Sequence, residues 1–205
     1  MIVIIDYGLG NLGSIKNMLK KIGYDSVISS DHDLIRSASK LILPGVGAFD
    51  QGMKNLEERG LIPLLNQKVL EEKTPILGIC LGMQLFTNKS GEGVLPGLAW
   101  IDAETIKFDS TQTDKKFPIP HMGWEYVFEK GNSPLLEGMY EDPKFYFVHA
   151  YYIKCNRPED VILTSNYIHE FDSGFQKGNI LGVQFHPEKS HKYGMKLLTN
   201  FMTNF

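Results

Sequence analysis

The stretch Ile76-Leu77-Gly78-Ile79-Cys80-Leu81-Gly82-Met83-Gln84 decides how the chain is to be read. An apolar run after Lys73-Thr74-Pro75 has the length of a buried strand, and the apolar pattern resumes from Leu81 to Phe86 as a helix. Cys80 therefore falls on the bend between them. Glycines two residues to either side give the form G-x-nucleophile-x-G, in which the missing side chains let strand and helix pack closely around a sharp turn. Such a turn thrusts its central side chain outward. A cysteine works as a nucleophile only as the thiolate, a form favoured by a helix N-terminus or by a neighbouring imidazolium.

Working outward towards the N-terminus, Ile2 to Asp6 reads as a buried strand, and Asn11 to Ile22 as a helix with Leu12, Ile15, Leu19 and Ile22 on one face. Between them Gly8-Leu9-Gly10-Asn11-Leu12-Gly13 matches G-x-G-x-x-G, and Asp31 or Asp33 follows at about the spacing of a dinucleotide site. The plainer reading is a tight strand-to-helix crossing whose glycines serve backbone packing, with Asn11 as a helix cap. A weaker strand at Asp25 to Ser29, an acid-capped helix at Asp31 to Ala38 and a strand at Leu41 to Leu43 come next. That third strand ends in Pro44-Gly45-Val46-Gly47-Ala48-Phe49, where two glycines leave the backbone free to turn its N–H groups outward. This is a candidate anion cradle or a plain βα turn. Helices around Phe49 to Arg59 and Leu61 to Glu72 lead back to Ile76. Alternating strands and helices imply a parallel sheet covered on both faces, with sites at the carboxyl ends of its strands.

Beyond Phe86 the pattern becomes β-rich. Ser90-Gly91-Glu92-Gly93 reads as a loop, strands are expected at Trp100 to Phe108, Trp124 to Phe128, Phe145 to Tyr152 and Val161 to Ser165, and polar Asp109 to Lys116 as a mobile surface loop. Ile180 to Phe185 is the last core strand, and Tyr193 to Phe205 an amphipathic closing helix. With 205 residues, 42% hydrophobic and 22% charged, a single globular domain spanning 1–205 is expected. A net charge of −3 without a basic cluster points away from nucleic acid. No apolar run approaches the roughly 20 residues of a membrane span, and Met1 to Asp6 is too short for a signal-peptide core, so a cytoplasmic protein is expected. Two distant cysteines, Cys80 and Cys155, form neither a disulfide framework nor a metal site.

A partner for Cys80 must come to the same sheet edge. His186 directly follows a core strand, and Glu188, two residues on in an extended segment, projects to the same side and can fix the imidazole's tautomer. Pro187 favours that extended geometry at His186. The glycine-framed cysteine, the cradle at Gly45 to Gly47 and the strand-end His/Glu pair together compose an acyl-transfer machine. Cys155 has no such frame and reads as structural.

Asp6-Tyr7-Gly8-Leu9-Gly10-Asn11, Pro44-Gly45-Val46-Gly47, Leu77 to Gln84, Pro120-His121-Met122-Gly123-Trp124 and Gln184-Phe185-His186-Pro187-Glu188 resemble the class I glutamine amidotransferases. More narrowly, they resemble the glutaminase subunits of imidazole glycerol phosphate synthases. The motifs run in order over essentially the whole chain. The resemblance implies an α/β, flavodoxin-like fold with a central, mostly parallel sheet flanked by helices. It also implies that Cys80 attacks the carboxamide of L-glutamine, His186 protonates the departing ammonia, Glu188 orients His186, and a glutamyl thioester is then hydrolysed. Leu81 N–H, with that of Val46 or Gly47, would form the oxyanion hole. Gln84 and Glu92 would meet the substrate's polar groups, and backbone near Ala150 and Tyr151 its carboxylate. No metal or cofactor is expected.

The implied partner is a (β/α)8-barrel cyclase that receives the ammonia through a closed channel and forms imidazole glycerol phosphate and an aminoimidazole by-product. Tyr7, Asn11, Met122 and Trp124 would lie near the docking face, which reassigns the glycine-rich Gly8 to Gly13 loop from a dinucleotide to that partner. The chain departs from the family at Glu125, Ala150 and Gly91-Glu92, where asparagine, a hydroxyl residue and two glutamates are usual. The alternatives are a paralogous glutaminase feeding an amidination of bacterial surface sugars, and a catalytically silent regulatory subunit. Intact Cys80, His186 and Glu188 argue against silence.

Overall fold

The computed structural model describes residues 1–112 and 117–205. The expectation of a mobile loop at 109–116 therefore lies, for residues 113–116, outside the described residues. Strand β1 (Ile2–Ile5) is buried at all four positions. Helix α1 (Leu12–Lys21) buries Ile15 and Leu19 and carries Lys20 and Lys21 in its last turn, where positive charge complements the helix dipole. Asn11 at its start makes no side-chain capping bond, unlike Asp31, whose carboxylate accepts from Asp33 N and Leu34 N at the head of α2 (His32–Arg36). Strands β2 (Ser26–Ser29), β3 (Lys40–Gly45) and β4 (Ile76–Cys80) complete the first half, with α3 (Phe49–Glu58), α4 (Leu61–Asn66) and α5 (Leu81–Leu85).

The second half holds β5 (Lys89–Ser90), β6 (Ala103–Lys107), β7 (His121–Glu129), β8 (Lys144–His149), β9 (Tyr151–Cys155), β10 (Val161–Asn166), β11 (Glu170–Lys177) and β12 (Ile180–Val183), closed by α6 (His191–Asn204). The order β2-β1-β3-β4-β12 is parallel throughout. The sheet then continues antiparallel through β11, β10, β7 and β8, and a side branch of β5, β6 and β9 joins at β11. The sheet is thus mixed. Several particulars differ from the sequence reading, among them a short strand β5 that takes in Ser90, the expected start of a loop. The strand at β11 was not expected, because Asp172, Ser173 and Gly174 dilute the alternation of Phe171 and Phe175. The strand expected at Phe145 to Tyr152 is broken at Ala150.

Alternation along β1 assigns its side chains to opposite layers: Val3 and Ile5 pack with Leu41, Leu43, Phe49 and Leu56, and Ile2 and Ile4 with Ile15, Leu19, Ile42 and Leu77. Both faces of the parallel part are therefore covered, as buried parallel strands require. The strand order reverses between β1 and β3, and in open α/β sheets the crevice at such a reversal, outside the carboxyl ends, is where ligands gather. Here those ends are the loops after Ile5 and Gly45. Among the described residues no helix is long and apolar enough to cross a membrane.

Candidate active site

Cys80 sits at φ 54°, ψ −112°, a positive-φ conformation that a residue with a Cβ rarely adopts and that stores backbone strain. The glycine frame explains how the bend is reached. A Cβ on Gly82 would overlap the Leu43 carbonyl oxygen, and one on Gly78 would lie 2.8 Å from Met83 Cα, so α5 starts with its backbone laid directly on β3 and β4. Cys80 pairs with Gly45 across the β3/β4 ladder, which brings the Gly45 to Gly47 turn beside it.

His186 follows β12, the neighbour of β4, and its Nδ1 lies 2.8 Å from Glu188 Oε1, both side chains being at most 3% exposed. The carboxylate accepts, so Nδ1 carries the proton and Nε2 is the nitrogen free to serve Cys80. His186 N donates to Tyr146 O and its carbonyl accepts from Ser190 Oγ, fixing the backbone on both sides. Burial opposes a charged imidazole here. Hydrogen bonding to Cys80 and Glu188, together with their negative charges, outweighs that penalty and pushes the His186 pKa up to about 10.

Cys80 Sγ lies 3.8 Å from the Val148 carbonyl oxygen and 3.6 Å from Gln184 Nε2, which donates to it. Gln84 Nε2 donates to Tyr151 O at 3.1 Å and to Gln184 Oε1 at 3.0 Å. A cavity of about 180 Å³ opens over the sulfur. Its wall contains Cys80, Leu81, Val46, Gly47, Gln84, Glu92, Ala150 and Tyr151, all singled out from the sequence as site residues, together with Pro120, which was quoted only in a motif read as partner-facing, and Val148 and His149, which were not singled out. Glu92 Oε2 also accepts from Phe49 N at 2.8 Å, at the N-terminus of α3. His186 and Glu188 are not part of that wall.

Sequence reasoning missed a buried histidine pair, His121 and His149, with Nδ1 of the first 3.0 Å from Nε2 of the second. His149 Nδ1 is 2.8 Å from Tyr151 O and must donate to it, so its Nε2 accepts and His121 Nδ1 donates. Burial lowers His121 to about 4. It lowers His149 to about 3, helped by the charges of His121 and His186 and opposed by the bond to Tyr151 O. Only a resemblance that quoted His121 without a role touched this pair.

The residues read as partner-facing divide. Met122 is 63% and Trp124 43% exposed, and Asn11 is exposed. Tyr7 requires correction: its ring is fully buried, filling the space that a side chain on Gly45 would take, so it presents nothing to a partner. Burial and the neighbouring Cys80 push its phenol pKa up. Gly8 and Gly10 have φ of 89° and 105°, and a Cβ on Gly10 would lie 3.3 Å from Gly45 N, which makes the loop a close crossing against the cradle. Cys155 is a free thiol raised by burial and by Asp172. Among the described residues no group of three His, Cys, Asp or Glu is placed to hold a metal ion.

Comparison with known proteins agrees with this geometry. The family described as Glutamine amidotransferase class-I matches residues 3–205. The Methanococcus maripaludis protein named imidazole glycerol phosphate synthase subunit HisH 2 is 57% identical over 202 residues, covering 98% of both chains. The Pseudomonas aeruginosa protein of the same name is 46% identical with the same coverage. A solved structure described as a glutamine amidotransferase superposes with TM-score 0.73 at 19% identity, covering 98% of this chain and 97% of that one. The structure of PurLQS from Thermotoga maritima gives 0.74 at 17%, covering 99% and 97%. At such identities the structural likeness speaks for the fold, while the sequence matches carry the family. The chain belongs to the class-I glutamine amidotransferases, in the group of imidazole glycerol phosphate synthase HisH subunits.

Proposed function

We propose that this chain hydrolyses L-glutamine to glutamate and ammonia through a thioester on Cys80. The observation that carries the reading is the contiguity of a strained, glycine-framed cysteine, a histidine held by a buried carboxylate, and a small cavity over the sulfur. In this reading Cys80 Sγ bonds to the carboxamide carbon, and the electron pair moves onto oxygen. The N–H of Leu81 and that of Val46 or Gly47 receive the oxyanion. Protonated His186 gives its Nε2 proton to the leaving nitrogen, which departs as ammonia. Water then adds to the thioester, His186 takes its proton, and glutamate leaves as the C–S bond breaks, restoring the Cys80 thiolate beside protonated His186. Glu188 keeps Nδ1 protonated and the ring aligned.

Glu92 would accept from the substrate ammonium through Oε1, since Oε2 holds the head of α3. Ala150 offers no hydroxyl, so the substrate carboxylate would rest on the backbone N–H groups of 150 and 151. The cytoplasm, where thiols such as Cys80 and Cys155 stay reduced, suits this chemistry. The ammonia would pass to a (β/α)8-barrel cyclase docked over Asn11, Met122 and Trp124, and the pathway supported by the relatives' names is histidine synthesis.

The test pairs the chain with its cyclase and the nucleotide substrate of imidazole glycerol phosphate formation. Wild type should turn over with glutamine or with ammonium. Cys80→Ala should lose only the glutamine-dependent reaction. Retention of glutamine-dependent turnover by Cys80→Ala would overturn the mechanism, and no turnover with either nitrogen source would overturn the assigned pathway.

A further inference from the structure

Gln184 lies at the end of β12, fully buried, two residues before His186. The direction of its amide follows from the atoms around it. A backbone carbonyl can only accept, so Tyr151 O compels Gln84 to present its NH2 group, with His149 Nδ1 as that oxygen's second donor. The remaining proton on Gln84 Nε2 then meets Gln184 Oε1 at 3.0 Å. With its oxygen so engaged, Gln184 has its NH2 turned to Cys80 Sγ, at 3.6 Å. One carbonyl thus sets two side-chain amides in series and aims an N–H at the reacting sulfur.

We infer that Gln184 is a catalytic residue of this site, whose N–H hydrogen-bonds the Cys80 thiolate and holds it in line with the cavity, while Gln84 aims that amide. The inference rests on the reading of Cys80 as nucleophile. A donor to the charged form favours that form, and in a water-poor site a charge-assisted bond is about twice as strong as a neutral one. The other titratable groups around the sulfur are His186, following β12, and Tyr7, following β1, with His149 on β8 and Glu188 acting on His186. None replaces Gln184 as a neutral donor on this side. The arrangement also gives Gln84 two duties: its NH2 is committed to the protein, which leaves Oε1 as its acceptor for substrate.

The experiment is the pH profile of Cys80 alkylation by iodoacetamide in the full-length chain without glutamine, resolved from Cys155 by peptide mass spectrometry. Gln184→Met keeps the volume and removes the donor, and Gln184→Glu keeps the shape and turns an oxygen to the sulfur. Relative to wild type, the alkylation midpoint should rise by about one pH unit in Gln184→Met, a tenfold change in the thiolate equilibrium, and by more in Gln184→Glu. Gln84→Met, which frees Gln184 to rotate, should move it the same way by less. With the cyclase bound, Gln184→Met should lower kcat for glutamine about tenfold, leaving ammonium-dependent turnover intact. A midpoint unmoved in both Gln184 variants would overturn the inference even if they were less heat-stable, because a purely structural glutamine would not set a pH profile. If either variant fails to fold, the other and Gln84→Met decide it by the same readout. Failure of the underlying reading would look different: full glutaminase activity in Cys80→Ala.

Discussion

A Cβ placed on Gly82 would collide with the carbonyl oxygen of Leu43 and come within 3.4 Å of Pro44 C, both of them backbone that cannot swing aside. Gly82→Ala should therefore lift α5 off β3 and carry Leu81 N–H with it. We expect a loss of about 3 kcal/mol in urea unfolding, at the upper end of overpacking costs, and a fall in glutaminase kcat exceeding that of Gly13→Ala. Gly13 belongs to the same class of residue, but a Cβ there meets nothing within 4 Å, so it serves as the control. An equal, small effect of both would show that the crossing tolerates displacement. Cys80, His186 and Glu188 were legible in the sequence because strand ends and a two-residue spacing fix them locally. Gln184 and His149 were not, because their defining contacts span 104 residues to Cys80 and 28 to His121, distances over which a sequence carries no register.

At the level of elements, β7 and β8 pair His121 directly with His149, and the break at Ala150 turns the chain so that Tyr151 O faces both His149 and Gln84. The break escaped the sequence reading because Phe145 to Tyr152 alternates without a glycine or proline to mark it. The histidine pair predicts acid sensitivity. Both folded pKa values lie below the ordinary 6.5, at about 4 and about 3. As pH falls from 6.5 towards 4, the unfolded chain takes up protons that the folded chain refuses, and stability drops. Above 6.5 the pair is neutral in both states and contributes no slope. The limiting slope is about 1.4 kcal/mol per pH unit for each histidine. His121→Gln retains a donor for His149 Nε2 and removes one titration, so urea midpoints measured between pH 6.5 and 4.5 should decline less steeply than in wild type. An unchanged decline would place the acid sensitivity elsewhere.

For the whole molecule, the parallel half was readable from alternating apolar runs, since strands buried on both faces leave an unbroken signal. The antiparallel half was less so: Asp172, Ser173 and Gly174 break up the apolar positions of β11, and Leu163 of β10 packs against the bare face of Gly174. That half exposes Met122, Trp124, Tyr126 and Phe128, alternate residues of β7 and therefore on one side of the strand. Trp124 stacks on His191 with ring centres 5.4 Å apart, and Lys144 lies 4.0 Å over Tyr126. A tryptophan on an exposed apolar stripe is the residue type that dominates binding energy. If this stripe carries the docking face proposed above, Trp124→Ala should weaken association with the cyclase partner about thirtyfold in calorimetry and leave the unfolding midpoint within 1 °C of wild type. Unaltered affinity would move the docking surface off β7.

The contact of Gly82 with Leu43 has a consequence for how such an enzyme diversifies. The bend beside Cys80 is main chain resting on main chain, so no exchange of side chains can reshape it, whereas the cavity wall also draws on Val46 and Gly47 after β3, Glu92 after β5, Pro120 before β7 and Ala150 after β8. A substitution in that wall, at Ala150 for example, alters what is held above the sulfur and leaves the bend that presents it intact. What presents the sulfur and what selects the molecule above it are thus held by separate parts of the chain.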